Sequence, residues 1–178
     1  MKLIIECLDQ VPRNICRAMF KHKHHKVSNT GDHSILVAIE ALKIGKLCGF
    51  RRNQLKTVVQ AAVWHDVGIV NSYDIYTNCP ERNKKHPIRS CNLYKEFVKD
   101  FNPKVCDIIN THMWPFGIRN IPKSKEAWVL NIADNIASIK ERLELETKYD
   151  LCTIADIRSR YTYDQEKHFK CRNRIDNY

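Results

Sequence analysis

Ala61-Ala62-Val63-Trp64-His65-Asp66-Val67-Gly68 sets an imidazole and a carboxylate side by side where an apolar helical pattern runs out. Leu55, Val58, Val59 and Ala62 recur at helical steps, and His65 and Asp66 continue that stripe into the next turn, so both polar side chains are directed inward. Gly68 reads as the helix stop, which puts Asp66 in the last turn, where the macrodipole is negative and an anion is disfavoured. A buried carboxylate there needs a cation: a Lys or Arg, or a metal ion with further ligands elsewhere in the chain.

Length and composition bound the answer. The 178 residues suffice for one domain with a sizeable core rather than two, and 43% of them are hydrophobic. With 5 Gly, 6 Pro and no alternating β-branched run, the chain is expected to be all-α, a helical bundle with short connections. The 8 cysteines form no Cys-x-x-Cys pair, and Cys91 and Cys106 fall on core helical positions. They read as reduced thiols packed as small hydrophobes in a cytoplasmic protein. The apolar run Leu3-Ile4-Ile5 is too short for a secretory signal, and no stretch is long and apolar enough to span a membrane. Of the net charge of +10, most is N-terminal: residues 1–60 carry 11 Lys/Arg against 4 Asp/Glu, and residues 61–146 carry 12 against 11. A basic face suits a small anionic substrate; nucleic acid is the less favoured partner. Oligomeric state is not legible.

Outward from the His65-Asp66 pair, the chain reads as a single domain over 1–178. Residues 1–27 hold an N-terminal helix, interrupted by Pro12, and a basic loop Lys21-His22-Lys23-His24-His25-Lys26. A helix from Asp32 to Phe50, stopped at Gly49, carries His33 on the face of Val37, Ala41 and Ile44. The helix of the quoted stretch runs from Asn53 to Asp66. After a polar surface loop between Asn71 and Lys85, His86-Pro87 is expected to open another helix, with Ser90, Leu93, Tyr94, Phe97 and Phe101 as its stripe. Asn102-Pro103 starts a short helix that aligns Val105, Ile108, Ile109 and His112. A long helix from Ser124 to Glu146 has Val129, Ile132, Ile136, Ile139 and Leu143 as its main aliphatic face, with Asp134 off that face among Leu130, Asn131, Ala137 and Ser138. Residues 147–178 read as a helix around Thr153–Arg160 and a loosely docked tail.

Six groups thus recur at helix ends or inward faces: His33, His65, Asp66, His86, His112 and Asp134. Each alone has an ordinary explanation, such as an imidazole bonded to a backbone carbonyl or a carboxylate paired with a distant Arg. Burying all six without a shared partner would cost several kcal/mol each, and one metal centre satisfies them together. Mixed nitrogen and oxygen donors suit Fe, Mn, Co, Ni or Zn better than Ca or Mg.

In this order the residues resemble the HD-domain superfamily of metal-dependent phosphohydrolases. Asp32-His33-Ser34 with Val37-Ala38 looks like its first-ligand helix, Trp64-His65-Asp66-Val67-Gly68 like its defining His-Asp motif, and Ile132-Ala133-Asp134 like its final aspartate. His86 and Thr111-His112 look like the two extra histidines of its binuclear branch. The resemblance spans 28–144 and implies an HD-like metal-binding core over 28–146 within an all-α bundle, the site lying between helices. It further implies two divalent ions, with Asp66 as the bridge, His33, His65 and Asp134 on one ion and His86 and His112 on the other. The implied reaction is hydrolysis of a phosphoester or phosphoanhydride of a nucleotide or other small phosphorylated metabolite, with His65 and Asp66 at the catalytic centre. One departure is clear: many relatives carry a lysine directly after the motif's glycine, and here that place is Ile69.

Candidate contacts for the anion are His24, His25, Lys23 and Lys26 before His33, Lys84, Lys85 and Arg89 around His86, Trp114 and Phe116, and Arg119 and Lys123 beyond them. No Gly-rich phosphate loop or Gly-x-Ser-x-Gly elbow is present to offer another chemistry. Two other readings fit the same ligand list: a di-iron oxygenase of the same superfamily, and a non-catalytic module binding a nucleotide or nucleic acid through the basic N-terminal third.

Overall fold

Pro12 divides the N-terminal apolar pattern as its missing N–H requires: α1 (Lys2–Leu8) ends before it, and α2 (Arg13–Lys21) starts directly after it. The computed structural model describes residues 1–24, 28–70, 80–115 and 121–162, apart from the side chains of 80–84. His25, Lys26, Phe116 and Arg119, the polar loop up to Cys79 and the tail beyond Thr162 lie outside the described residues.

A feature absent from the all-α expectation follows α2: β1 (Lys23–His24) and β2 (Ser28–Asn29) form a small antiparallel hairpin. It leads into α3 (Thr30–Leu47), whose first turn is capped by Asn29 Oδ1 accepting the Asp32 N–H at 2.8 Å. Helix α3 is the axis of the bundle, packed most broadly against α4 (Arg52–Trp64) and α8 (Lys125–Leu143). Ile35, Leu36, Val37, Val58, Val63, Trp64 and Leu130 interlock there with essentially no exposure, each worth about 1.5–3 kcal/mol of burial. Gly49, at φ +71°, closes α3 in the left-handed conformation that glycine adopts freely.

Several expectations are corrected. Helix α4 stops at Trp64, not Asp66; His65 and Asp66 form the turn into a four-residue helix, α5 (Val67–Val70), so Gly68 lies inside a helix and stops none. A Cβ on Gly68 would lie 2.5 Å from the His86 carbonyl oxygen and 2.7 Å from the Ser90 nitrogen of α6 (Pro80–Phe97), so this glycine serves close helix–helix approach. His86-Pro87 does not open α6, which begins six residues earlier at Pro80 and carries Pro87 inside it. Helix α6 ends at Phe97, so Phe101 lies beyond it, and both of these phenylalanines are part-exposed.

Helix α7 (Pro103–Thr111) begins as expected, with Asn102 capping it and His112 at its end. On α8, Val129 is buried as expected, but the rest of the aliphatic stripe turns outward: Ile132, Ile139 and Leu143 are 44%, 54% and 63% exposed, while Leu130, Asn131, Ala133, Ala137 and Glu141 are buried. The last helix, α9 (Lys148–Thr162), is firmly docked on α2 and α3, with Arg158 on Asp32 at 2.7 Å and the Tyr161 hydroxyl on Asp9 at 2.8 Å. Nor are all the cysteines free thiols, because Cys91 and Cys106 are joined in a disulfide that ties α6 to α7. Cys7 and Cys16 do pack as small hydrophobes, and burial pushes their thiols up to about 12. Among the described residues, no helix is long and apolar enough to cross a membrane.

Candidate metal centre

Five elements converge on Asp66. The turn after α4 supplies His65 and Asp66, α3 supplies His33, α6 supplies His86, the end of α7 supplies His112 and α8 supplies Asp134. The four histidines and Asp66 are at most 4% exposed, and the Asp134 side chain is 16% exposed. Helix periodicity brings them together because each sits on the inward face of a helix packed around α3 or at its inner end.

The two carboxylate oxygens of Asp66 face different partners. Oδ1 lies 3.2 Å from His86 Nε2 and 3.6 Å from His112 Nε2. Oδ2 lies 3.4 Å from His65 Nε2, 3.6 Å from His24 Nε2 and 3.9 Å from His33 Nε2. Asp134 Oδ1 completes the second group, 3.1 Å from His33 Nε2 and 3.9 Å from His65 Nε2. Donors bound at right angles to one ion with bonds of about 2.1 Å stand about 3 Å apart, so the shorter of these spacings could accommodate an ion.

Three of the four imidazoles are held from behind. His65 Nδ1 donates to the Ala62 carbonyl oxygen at 2.7 Å and His112 Nδ1 to the Ile109 carbonyl oxygen at 2.6 Å, which leaves Nε2 of both rings turned inward. His33 Nδ1 donates to the buried Glu141 carboxylate at 2.9 Å. Glu141, two turns along α8 from Asp134, escapes a reading of the sequence that scores it as one more charge on a solvated helix. Its only signal is that spacing of seven, which returns it to the face of Asp134. Two more supports are equally silent in sequence. Asn131 Nδ2 donates to the carbonyl oxygens of His112 and Trp114, each at 2.6 Å. Ser90 Oγ donates to the His65 carbonyl oxygen at 2.7 Å and accepts the Gly68 N–H at 2.8 Å.

Electrostatics test whether a cation fits. Burial works against charge on His33, yet its bonds to Asp134 and Glu141 raise it to about 10. Burial likewise opposes charge on His112, but its bond to Asp66 leaves it raised. Despite their burial, Asp66 is held well below the usual carboxylate range by His65, His112 and His86, and Asp134 is lowered by His33 and His65. His65 goes the other way: burial lowers it, so it sheds its proton. Its Nε2 lone pair then faces two carboxylate oxygens with no hydrogen-bond partner among the described residues. A lone pair aimed at two anions is stabilised by a cation between them, and a transition metal bound by imidazole and carboxylate is such a cation. The residues therefore fit a metal. His33, His65 and Asp134 form one group able to hold an ion, and His65, Asp66 and His112 another.

The candidate substrate contacts are less concentrated. His24 is buried beside Asp66; Lys85 is exposed and Arg89 half-buried on the helix of His86; the Trp114 ring packs edge-on against Trp128 at 5.2 Å. Lys23 and Lys123 are exposed. Ile69 is buried, so the place after the glycine offers no cation.

A family model described as HD domain matches residues 30–139, well over half of the chain. No curated protein and no solved structure matches.

Proposed function

The chain belongs to the HD domain family, in which metal-dependent hydrolysis is common, and on that premise we propose a phosphohydrolase whose centre holds two divalent ions, drawn from Fe, Mn, Co, Ni and Zn. The observation that carries the proposal is the division of Asp66: one carboxylate oxygen faces His86 and His112, the other faces His33 and His65 with Asp134 beside them. A carboxylate so placed could serve both ions. His33, His65 and Asp134 would hold one ion, His86 and His112 the other. When bound, such ions lower the pKa of a water toward neutrality and draw charge from phosphoryl oxygens.

The chain's own residues do the rest. His65, its Nδ1 committed to the Ala62 carbonyl oxygen, would present Nε2 to the ion, and the carboxylates of Asp66 and Asp134 are the groups beside it that could accept a water proton. Glu141, Asn131 and Ser90 lock the rings and carbonyls behind the ligands, so that little reorganisation is needed when substrate arrives. Lys85 and Arg89, on the helix of His86, are the cations best placed to draw a phosphorylated metabolite or nucleotide to the His86 side. In the reaction water adds at phosphorus, the bond to the leaving oxygen breaks, and that oxygen takes a proton, giving a phosphate or phosphomonoester and an alcohol or shorter phosphate. No serine or cysteine nucleophile is required.

The test is a panel of nucleotides and small phosphoesters run on metal-stripped protein reloaded with each ion in turn. Turnover of at least one class with Mn or Co supports the proposal. Protein inert on every phosphoester that consumes O₂ when loaded with iron would be the oxygenase. Absence of any turnover, with nucleic acid binding that weakens steeply with salt, would make it the binding module.

A further inference from the structure

The hairpin between α2 and α3 delivers a seventh group to the centre. Its base is pinned where α3 begins: Thr30 N–H donates to the His22 carbonyl oxygen at 3.0 Å, and His22 Nδ1 and Thr30 Oγ1 also meet at 3.0 Å. Across the strands His24 pairs with Ser28, whose hydroxyl donates to the His24 carbonyl oxygen at 3.0 Å. His24 is thereby held 8% exposed, with its ring centroid 4.3 Å from that of His33 and its Nε2 3.6 Å from Asp66 Oδ2. Donor atoms of His24, His33 and Asp66 all fall within 4.8 Å of one another. The oxygen that His24 faces is the one shared with His33 and His65, not the one turned to His86 and His112.

We propose that His24 is a metal ligand and not a substrate contact: it joins His33 and Asp66 in holding the ion on the Oδ2 side of Asp66. The inference rests on the metal-centre reading above and makes the two halves unequal. With His65 and Asp134 beside His33, the ion on that side would have more donors among the described residues than the ion beside His86 and His112. Sites with a full protein donor set are closed, whereas sites with three protein ligands keep positions for water and substrate. Exchangeable positions, and with them the phosphoryl group, would then fall on the His86 and His112 side. The imidazole-rich half favours the borderline ions Zn, Fe, Co and Ni over Mn and Mg.

Titration of metal-free wild type, His24→Ala and His24→Phe with Co(II), followed by heat and by visible absorption, tests this without any assay of turnover. His24→Phe retains a ring to pack on His33 but offers no donor nitrogen. The expected result is two equivalents bound by wild type, with both variants losing about ten-fold or more in affinity for one equivalent only. The visible absorption of that equivalent should intensify as its coordination number falls. Wild-type affinity and absorption for both equivalents in both variants would overturn the proposal, and equal loss of both would reassign His24 to shaping the hairpin. Failure of wild type itself to bind cobalt would instead remove the metal-centre reading on which the proposal stands.

Discussion

At the scale of single residues, Asp66 is the pivot, because its two carboxylate oxygens are divided between the two groups of imidazoles. Asp66→Ala should therefore abolish both metal retention and hydrolysis, as read by metal analysis after gel filtration and by the phosphoester panel; full activity would remove the basis of the site. Glu141 acts through His33. Glu141→Ala should cost about 10–100-fold in metal affinity, while Glu141→Gln, which still accepts the Nδ1 proton, should retain most of it. His33 also sets a pH dependence. Because its carboxylate partners raise it to about 10, the metal-free protein at neutral pH holds a proton that the ion must displace. Affinity should rise with pH, and calorimetry in buffers of different ionisation heat should find proton release on metal uptake.

Among the elements, the contact of α5 with α6 depends on a missing side chain. Gly68→Ala drives a Cβ into the His86 carbonyl and the Ser90 nitrogen, and overpacking of this kind costs about 1–3 kcal/mol. The backbone displaced is that of the proposed ligand His86, so metal affinity should fall together with the melting temperature. The same contact marks where the sequence was readable and where it was not. Helical periodicity located the helices around α3, and the inward aim of His33, His65, Asp66 and His112, because burial repeats every three or four residues whatever the tertiary arrangement. It misread Gly68 as a cap, since a helix stop and a close approach select the same residue. It placed the start of α6 at Pro87, which reads as a start signal although here it sits inside the helix. On α8 it chose the more aliphatic face as the core. The buried face is instead the small and polar one, with Asn131, Asp134, Ala137 and Glu141, because the site's chemistry outweighs hydrophobicity there. The hairpin was invisible because two residues per strand carry no period.

For the molecule as a whole, the docking of α9 is an electrostatic matter. Asp150, fully buried, accepts Lys43 at 3.0 Å and Lys140 at 2.9 Å, and both lysines also reach Glu40, so α3, α8 and α9 share one knot of charges. Burial works against the Asp150 carboxylate, yet the bonds to Lys140 and Lys43 and those from Thr147 hold it below its ordinary range. A folded value lower than the unfolded one contributes stability that is fully present above about pH 4 and is lost as pH falls towards the folded value. Thermal melts taken from neutral pH downward should show wild type losing more stability through that acid window than Asp150→Asn, which lacks the titrating group. At neutral pH the variant should be the less stable of the two. The disulfide between Cys91 and Cys106 has a different reach, since it closes a covalent ring around the turn that joins α6 to α7. A protease that cuts the connection near Asp100 would sever the sequence without separating its pieces. The nicked chain should migrate as one species until a reductant is added and as two afterwards, and until then His86 and His112 would remain parts of one molecule.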